Sequence, residues 1–325
     1  MKAKNIKKIG VLTSGGDAPG MNAAVRAVVR TGIYHGIEMV GVLEGYVGLI
    51  ENKMHTLTAR DVSDTLQRGG TMLQTARCLE FKTHEGVVKA YNAAKARGLD
   101  GLIVIGGDGS FRGAMDLCKE GLPTIAMPGT IDNDINCSEY TIGYDTCLNT
   151  VAEAIDKIRD TSTSHNRCSI IEVMGRNAGY IALEAGIACG AEVILVPEKE
   201  WDFDKDVLNP VLESKARGKK HTIIVVAEGV GGVAEMAKQI EEKTGIEARS
   251  SVLGYMQRGG TPTVRDRVIA SEMGVRCVEL LLEGKQNRIV RLKDGKVSDI
   301  DIAEGLAVKK TLPEGLVSIV NKLTV

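Results

Sequence analysis

Ile105-Gly106-Gly107-Asp108-Gly109-Ser110 follows an apolar run, Leu102 to Ile105, and leads into a helical pattern, so three glycines and an aspartate sit where a strand turns into a helix. Glycine lets the backbone approach an anion closely, and the N–H groups of a first helical turn supply partial positive charge. A carboxylate there suits Mg²⁺ rather than phosphate, which makes Asp108 the candidate metal ligand. A second stretch, Pro128-Gly129-Thr130-Ile131-Asp132-Asn133-Asp134, follows the apolar run Thr124 to Met127. In extended backbone alternate side chains share a face, which points Asp132 and Asp134 the same way. A helix from Ser110 to about Lys119 joins the two stretches into a parallel, right-handed β-α-β unit. Ligands of open α/β sheets sit outside the carboxyl ends of such strands, where both stretches fall.

Upstream, the strand Ile9 to Leu12, the turn Thr13-Ser14-Gly15-Gly16-Asp17-Ala18-Pro19-Gly20 and a helix over Met21 to Tyr34 repeat the same order. The glycines miss the G-x-G-x-x-G spacing, so the turn alone reads equally as a phosphate cradle or as a tight turn. Arg26 and Arg30, four apart on that helix, read in isolation as a solvated face. Glu38 to Leu43 is the next strand, and Thr58 to Leu66 reads as a helix start with Thr58 as its cap. Arg68-Gly69-Gly70-Thr71 and Arg77 lie in a loop too polar for core, where Arg77 is either a surface residue or a phosphate clamp. An amphipathic helix covers 85–97.

After a break near Gly143, a helix from Thr146 to Asp160 and strands Cys168 to Val173, Ala191 to Val196 and Thr222 to Ala227 predict a second α/β lobe. Arg249 to Gly260 reads as a glycine- and arginine-rich loop, Arg265 to Leu282 as a helix, and the tail carries a short strand pair around Asp294-Gly295.

With 41 basic and 42 acidic residues, the chain has no general attraction for nucleic acid or an anionic membrane. Three phenylalanines and one tryptophan provide no stacking platform for single strands. Seven cysteines without a C-x-x-C pair argue against a disulfide framework or structural zinc, and five histidines show no metal spacing. The basic start is followed by too few apolar residues for a signal peptide, and no run approaches the eighteen of a membrane span. A cytoplasmic protein is expected.

Phosphoryl transfer needs positioned phosphates, a metal, a base and cations around the moving group. Gly16 and Gly106 to Ser110 offer backbone, Asp108 a metal ligand, Asp132 a base, and Arg77 and Arg176 cations; no G-x-x-x-x-G-K-[ST] occurs, which excludes a P-loop enzyme. The turn from Thr13 through Gly20, with Met21-Asn22, resembles the bacterial 6-phosphofructokinase family. So do Gly106-Gly107-Asp108-Gly109-Ser110, Pro128 to Asp134, Met174-Gly175-Arg176 and Gln257-Arg258-Gly259-Gly260, in the family's order and spacing over nearly the whole chain.

That resemblance implies two doubly wound three-layer α/β lobes with mainly parallel sheets and an active site in the cleft between them. Residues 1–143 with 257–307 would form the nucleotide-binding lobe, and 144–256 with 308–325 the sugar phosphate-binding lobe. The implied reaction moves the γ-phosphoryl group of ATP, with Mg²⁺ on Asp108, to the 1-hydroxyl of fructose 6-phosphate. Asp132 matches the general base, with Asp134, Thr130 and Arg176 beside it. Gly16, Tyr46, Arg77, Cys78, Gly107, Asp108, Gly109 and Ser110 fall on the nucleotide site. Thr130, Ile131, Asp132, Met174, Gly175, Arg176, Glu228, Tyr255, Met256, Gln257 and Arg258 fall on the sugar phosphate site, with Arg167 and Arg249 expected from a neighbouring subunit of a homotetramer.

ADP as activator and phosphoenolpyruvate as inhibitor are expected on Arg26, Arg30, Arg60, Asp64, Arg159, Glu192, Arg217, Lys219, Lys220 and His221, which replaces the solvated-face reading of Arg26 and Arg30. Pyrophosphate-using relatives carry aspartate at the position of Gly109 and lysine at that of Gly129; glycine at both favours ATP, and Gly113 is small in the same way. Two positions depart from the family. Tyr255 replaces a histidine and cannot carry positive charge, which implies weaker fructose 6-phosphate binding or an altered pH dependence. Ala59 replaces an effector-binding arginine, which weakens phosphoenolpyruvate control unless Arg60 substitutes.

A sugar phosphate sensor would have no need of Asp132 and Asp134 beside a metal carboxylate, and a nicotinamide enzyme would want different glycines in the first turn.

Overall fold

β1 (Lys8–Thr13), β4 (Gly101–Gly106) and β5 (Thr124–Pro128) are buried almost end to end, which is why they read as unbroken apolar runs rather than alternating ones. They lie in a seven-stranded sheet, described by a computed structural model that covers residues 6–323 except the side chains of Val317 and Asn321. The sheet order is β11-β10-β5-β4-β1-β2-β3, completed by β2 (Glu38–Val42), β3 (Met54–Leu57), β10 (Arg288–Lys293) and β11 (Lys296–Asp301). Its strands run parallel except β3 and β11, the antiparallel edges. The winding direction reverses between β1 and β4, where Thr13 pairs with Ile105, and the crevice of such a sheet opens at this point.

One face is covered by α2 (Gly45–Ile50), α3 (His84–Ala96), α4 (Asp108–Glu120) and α10 (Ile302–Ala307), over a core that includes Leu12, Val40, Phe81, Phe111, Leu117 and Ile302. On the other face α1 (Met21–Tyr34) packs against α9 (Val264–Leu282). Gly274 permits that crossing, since a Cβ there would lie 2.6 Å from Ala27 Cβ. This unit takes in the chain up to Ile131, Ile135–Thr146 and Arg258–Lys310.

The second unit comprises Asp132–Asp134, Cys147–Gln257 and the chain from Thr311. Its parallel sheet has the order β7-β8-β6-β9, from β6 (Cys168–Val173), β7 (Val193–Leu195), β8 (Thr222–Ala227) and β9 (Ala248–Val252). α5 (Tyr144–His165) leads into it. Val193 and Leu195 join a core with α7 (Asn209–Ala216) and α8 (Val233–Thr244), while Ile194, facing the other way, packs under Gly186 of α6 (Tyr180–Ala188), with α11 (Glu314–Leu323) against α6. The fold is α/β, as expected.

Two local expectations are overturned. Thr58 to Leu66 forms turns, because the Asp61 carboxylate takes both the Thr58 N–H and its hydroxyl at 2.7 Å, and Asp64 turns left-handed at φ 52°. Within the predicted loop from Arg249 to Gly260, residues up to Val252 extend β9 alongside β6.

Candidate active site

The two glycine turns meet at the β1–β4 crevice. Ser14 N–H donates to Ile105 O at 2.9 Å, and Ser110 Oγ to Ser14 O at 3.2 Å. A Cβ on Gly106 would lie 2.4 Å from Ser14 O, so this close approach demands glycine. Beyond Gly107 and Gly109 the space is open, with no heavy atom within 4 Å of where a Cβ would be. Asp108, half-buried, opens α4 beside them.

Tyr46, expected at the nucleotide, packs against the turn: it is buried, its ring stacks on Phe81 at 3.9 Å and its hydroxyl donates to Ser110 O at 2.6 Å. Burial pushes that phenol well above its ordinary range. Gly113 makes room for this pair, since its Cβ would meet Phe81 at 2.7 Å and Tyr46 at 2.9 Å.

Arg77 is exposed and Cys78 half-buried, on a segment held by side chains that sequence reading missed. Thr13 Oγ1 donates to Gln74 O and Thr75 Oγ1 to Gly15 O, each at 2.8 Å. Arg258 joins this unit with its guanidinium carbon 3.2 Å from the position of a Gly16 Cβ.

Mg²⁺ keeps most of its shell as water and phosphate oxygens and takes one or two carboxylates. Among the described residues no three His, Cys, Asp or Glu side chains gather into a metal cage. The Asp108 carboxylate, heading α4 beside the open space at Gly107 and Gly109, fits an ion that arrives with a polyphosphate.

The alternation expected for Asp132 and Asp134 does not hold, because Asn133 adopts a left-handed φ of 51° and bends the segment. Asp132 is 5% exposed and Ile131 is buried, so the isoleucine presents little side-chain surface to a ligand. Thr141 Oγ1 donates to Thr130 O at 2.7 Å, fixing the entry to the bend. Tyr180 is pushed up to about 12, by burial first and then by Glu198 and Asp134.

In the second unit, paired strands β6 and β8 end side by side at Val173 and Ala227. Glu228 Oε1 accepts from Gly175 N at 3.2 Å and Arg176 N at 2.6 Å, holding a turn in which Gly175 has φ 138° and Arg176 φ 55°. Such strained backbone persists only where its surroundings fix it. Gln257, expected to touch substrate, is fully buried; its Oε1 accepts from Met174 N at 3.1 Å and its Nε2 donates to Gly254 O at 3.0 Å, so it shapes the turn. Tyr255 and Met256 beside it are 78% and 53% exposed. Glu172, one residue back from the end of β6, is raised by burial and then by Glu228.

Arg167 and Arg249 lie at the other edge of this sheet. Arg249 pairs in register with Ser169, and Val173 follows four residues, about 13 Å, later. Both arginines grip Glu247, Arg167 Nε at 2.6 Å and Arg249 Nη2 at 2.5 Å, and the Arg167 hydrogen bond holds Glu247 below its usual range.

The effector candidates of this unit cluster along that same edge. Glu192 is buried, accepting from Lys219 Nζ at 3.1 Å and Ile223 N at 2.7 Å. Arg159 Nη1 donates to His221 Nε2 at 3.0 Å and Nη2 to Cys189 O. Arginine only donates, so His221 Nε2 accepts and Nδ1–H donates to Thr163 Oγ1 at 3.0 Å. Burial and then Arg159 lower the imidazole below its ordinary range. Arg217, Lys219 and Lys220 are exposed. Arg26, Arg30, Arg60 and Asp64 belong to the first unit, the two arginines on α1 and the other pair in the turn after β3.

The sequence profile described as phosphofructokinase matches residues 8–281. An "ATP-dependent 6-phosphofructokinase" of Clostridium botulinum (strain Hall) is 55% identical over 319 residues, 98% of this chain and 100% of its own length. "ATP-dependent 6-phosphofructokinase 1" of Clostridium perfringens is 55% identical, over 98% of this chain and 99% of its own. Among solved structures, phosphofructokinase from Saccharomyces cerevisiae superposes with a TM-score of 0.86 at 34% identity, over 98% of this chain and 47% of that one. A pyrophosphate-dependent phosphofructokinase from Marinobacter aquaeolei shares the fold, with a TM-score of 0.87 at 20% identity over 98% of this chain and 92% of that one. The open glycine turn headed by Asp108, the carboxylates at the Asn133 bend and the arginine turn held by Glu228 thus stand on a chain that belongs to the phosphofructokinase family.

Proposed function

We propose that this protein transfers the γ-phosphoryl group of Mg-ATP to the 1-hydroxyl of D-fructose 6-phosphate, giving fructose 1,6-bisphosphate and ADP, the committed step of glycolysis. The observation that carries the reading is Asp132, a carboxylate only 5% exposed, in the loop after β5, the strand next to the one that ends in the Asp108 turn. The names of relatives 55% identical over nearly the full chain agree with it.

In this reading the first unit binds the nucleotide and the second the sugar phosphate. The turns around Gly16 and Gly107 to Ser110 present backbone N–H groups to the phosphates, and Arg77 and Arg258 add positive charge. Asp108 would hold Mg²⁺, which neutralises the phosphate oxygens when bound. Asp132, removed from bulk water, takes the proton from the attacking hydroxyl, with Thr130 and Asp134 beside it. Arg176, held by Glu228 through its own N–H, offers its guanidinium to the charge that develops on the moving group.

Donor choice follows from Gly109. A Cβ there meets nothing, so Gly109→Asp leaves stability within about 0.5 kcal/mol, yet its carboxylate enters the space read as that of the ATP α-phosphate. We expect kcat/KM for ATP to fall at least about tenfold, from one repulsive charge, with the melting temperature unmoved. Gly129 is different: a Cβ would lie 2.9 Å from Ile105 Cγ2, so any larger residue there disturbs the core before it alters donor choice. Unchanged ATP kinetics in Gly109→Asp would remove this part of the account.

Arg167 and Arg249 lie about 13 Å or more along the sheet from the Arg176 turn, which supports a site built from two chains of a homotetramer. Arg167→Ala and Asp132→Ala are each expected to be inactive, and mixed subunits to regain activity, because some sites then hold both intact residues. No recovery in hybrids verified by mass would argue against sharing. The basic clusters around Arg159 and His221, and around Arg26 and Arg30, are read as sites for ADP and phosphoenolpyruvate. Among the described residues no helix is long and apolar enough to cross a membrane, and the reading places the enzyme in the cytoplasm.

A further inference from the structure

Asn22, in the first turn of α1, is 3% exposed. Its Nδ2 donates to Arg68 O at 3.0 Å and Gly69 O at 3.1 Å, and its Oδ1 accepts from Met72 N at 2.7 Å. Every bond runs to the backbone of one irregular segment, 46 to 50 residues away. That segment carries Arg60 and Asp64 at its start and Arg77 at its end, with the Thr13 and Thr75 bonds gripping it just before Arg77. Along α1, Arg26 and Arg30 follow Asn22 by one and two turns on the same face. One helix face thus bears a buried amide fastened to the Arg77 segment and, further along, two arginines.

We infer that Asn22 is a positioning residue that sets the placement of Arg77 beside the Ser14–Gly16 turn and links that arginine to anion binding at Arg26 and Arg30. The inference rests on the reading of Arg77 as a phosphate ligand and of Arg26 and Arg30 as effector ligands. A carboxamide is required because the tether needs both donors and an acceptor on one planar group. Asn22→Asp keeps the shape and the acceptor for Met72 but sets a carboxylate against two carbonyl oxygens.

The test compares Asn22→Asp with the wild type and with Leu281→Ala, a buried cavity variant of α9 that serves as a stability control. Amide hydrogen exchange over Met72 to Arg77, KM for ATP and for fructose 6-phosphate, and the response to added ADP are measured on the full chain. Asn22→Asp should exchange faster over that segment, raise KM for ATP about tenfold, as for one lost phosphate contact, leave that for fructose 6-phosphate within about twofold, and lose its response to ADP. Leu281→Ala should lower the melting temperature without these changes. Unchanged exchange and ATP kinetics in Asn22→Asp, or equal changes in Leu281→Ala, would overturn the positioning role; a retained ADP response would overturn the link to Arg26 and Arg30. A wild type that binds ATP but does not phosphorylate fructose 6-phosphate would instead defeat the functional reading, while exchange at Met72 to Arg77 still decides whether Asn22 sets the segment.

Discussion

Asp132→Asn should lower kcat by about a thousandfold while both KM values stay within about threefold, because the amide fills the same space but cannot take a proton. The residue is 5% exposed and sits at a bend fixed by the left-handed Asn133 and by Thr141 bonding to Thr130 O, so an isosteric change should leave the loop in place. Loss confined to kcat identifies a group that acts in the transition state rather than in binding. Asp108→Asn, by contrast, should act on nucleotide and Mg²⁺ affinity. Steady-state kinetics with a direct fructose 1,6-bisphosphate readout, on protein shown by circular dichroism to be folded, checks the prediction. A variant retaining a tenth of wild-type kcat would mean that another group takes the proton.

The largest stability effect is expected at Asp266, a residue the functional motifs do not include. It has no exposed surface, and its carboxylate accepts four hydrogen bonds: from Tyr140 Oη at 2.6 Å, Gly143 N at 2.7 Å, Thr146 N at 2.9 Å and Thr146 Oγ1 at 2.5 Å. These fasten the loop that follows Asp132 to α9 and satisfy N–H groups at the start of α5. Asp266→Leu leaves four donors buried without their acceptor, at a cost of about 4 kcal/mol, equivalent for a chain of this length to a fall of roughly 6 °C in melting temperature. Asp266→Asn, which keeps one acceptor oxygen, should lose about half as much. Calorimetry on the three proteins decides, and a loss under about 1 kcal/mol in the leucine variant would show that the loop holds without this carboxylate.

The sequence revealed most where one element's own periodicity decides its structure. Met21–Tyr34, Cys168–Val173 and Thr222–Ala227 follow the bounds read from pattern alone, since each is a clean buried face or run. α8 carried the same signal, with buried Val233, Met236, Ala237 and Ile240 at helical spacing, and could have been read. β9 could not: it is largely exposed and polar, and pairing with β6 makes it a strand. Thr58 misled because a threonine with an acidic residue three positions on looks like a helix cap, whereas here the acid captures the threonine itself.

The same divide runs through the site. The glycine turns after β1 and β4 are local and legible, whereas the bend at Asn133 that sets the directions of Asp132 and Asp134 is not. Asn22 with Met72, Gln257 with Met174, and Asp266 with Tyr140 join residues 50, 83 and 126 positions apart, and no spacing in the chain announces such pairs.

The most direct test supplies the purified protein with fructose 6-phosphate and Mg²⁺, and with ATP in one sample and pyrophosphate in the other, and measures fructose 1,6-bisphosphate. Product with ATP alone is the expected result. Product with pyrophosphate alone would keep the fold and the role of Asp132 but contradict the donor assignment built on Gly109, and no product in either, from folded protein, would contradict the assignment of catalysis itself.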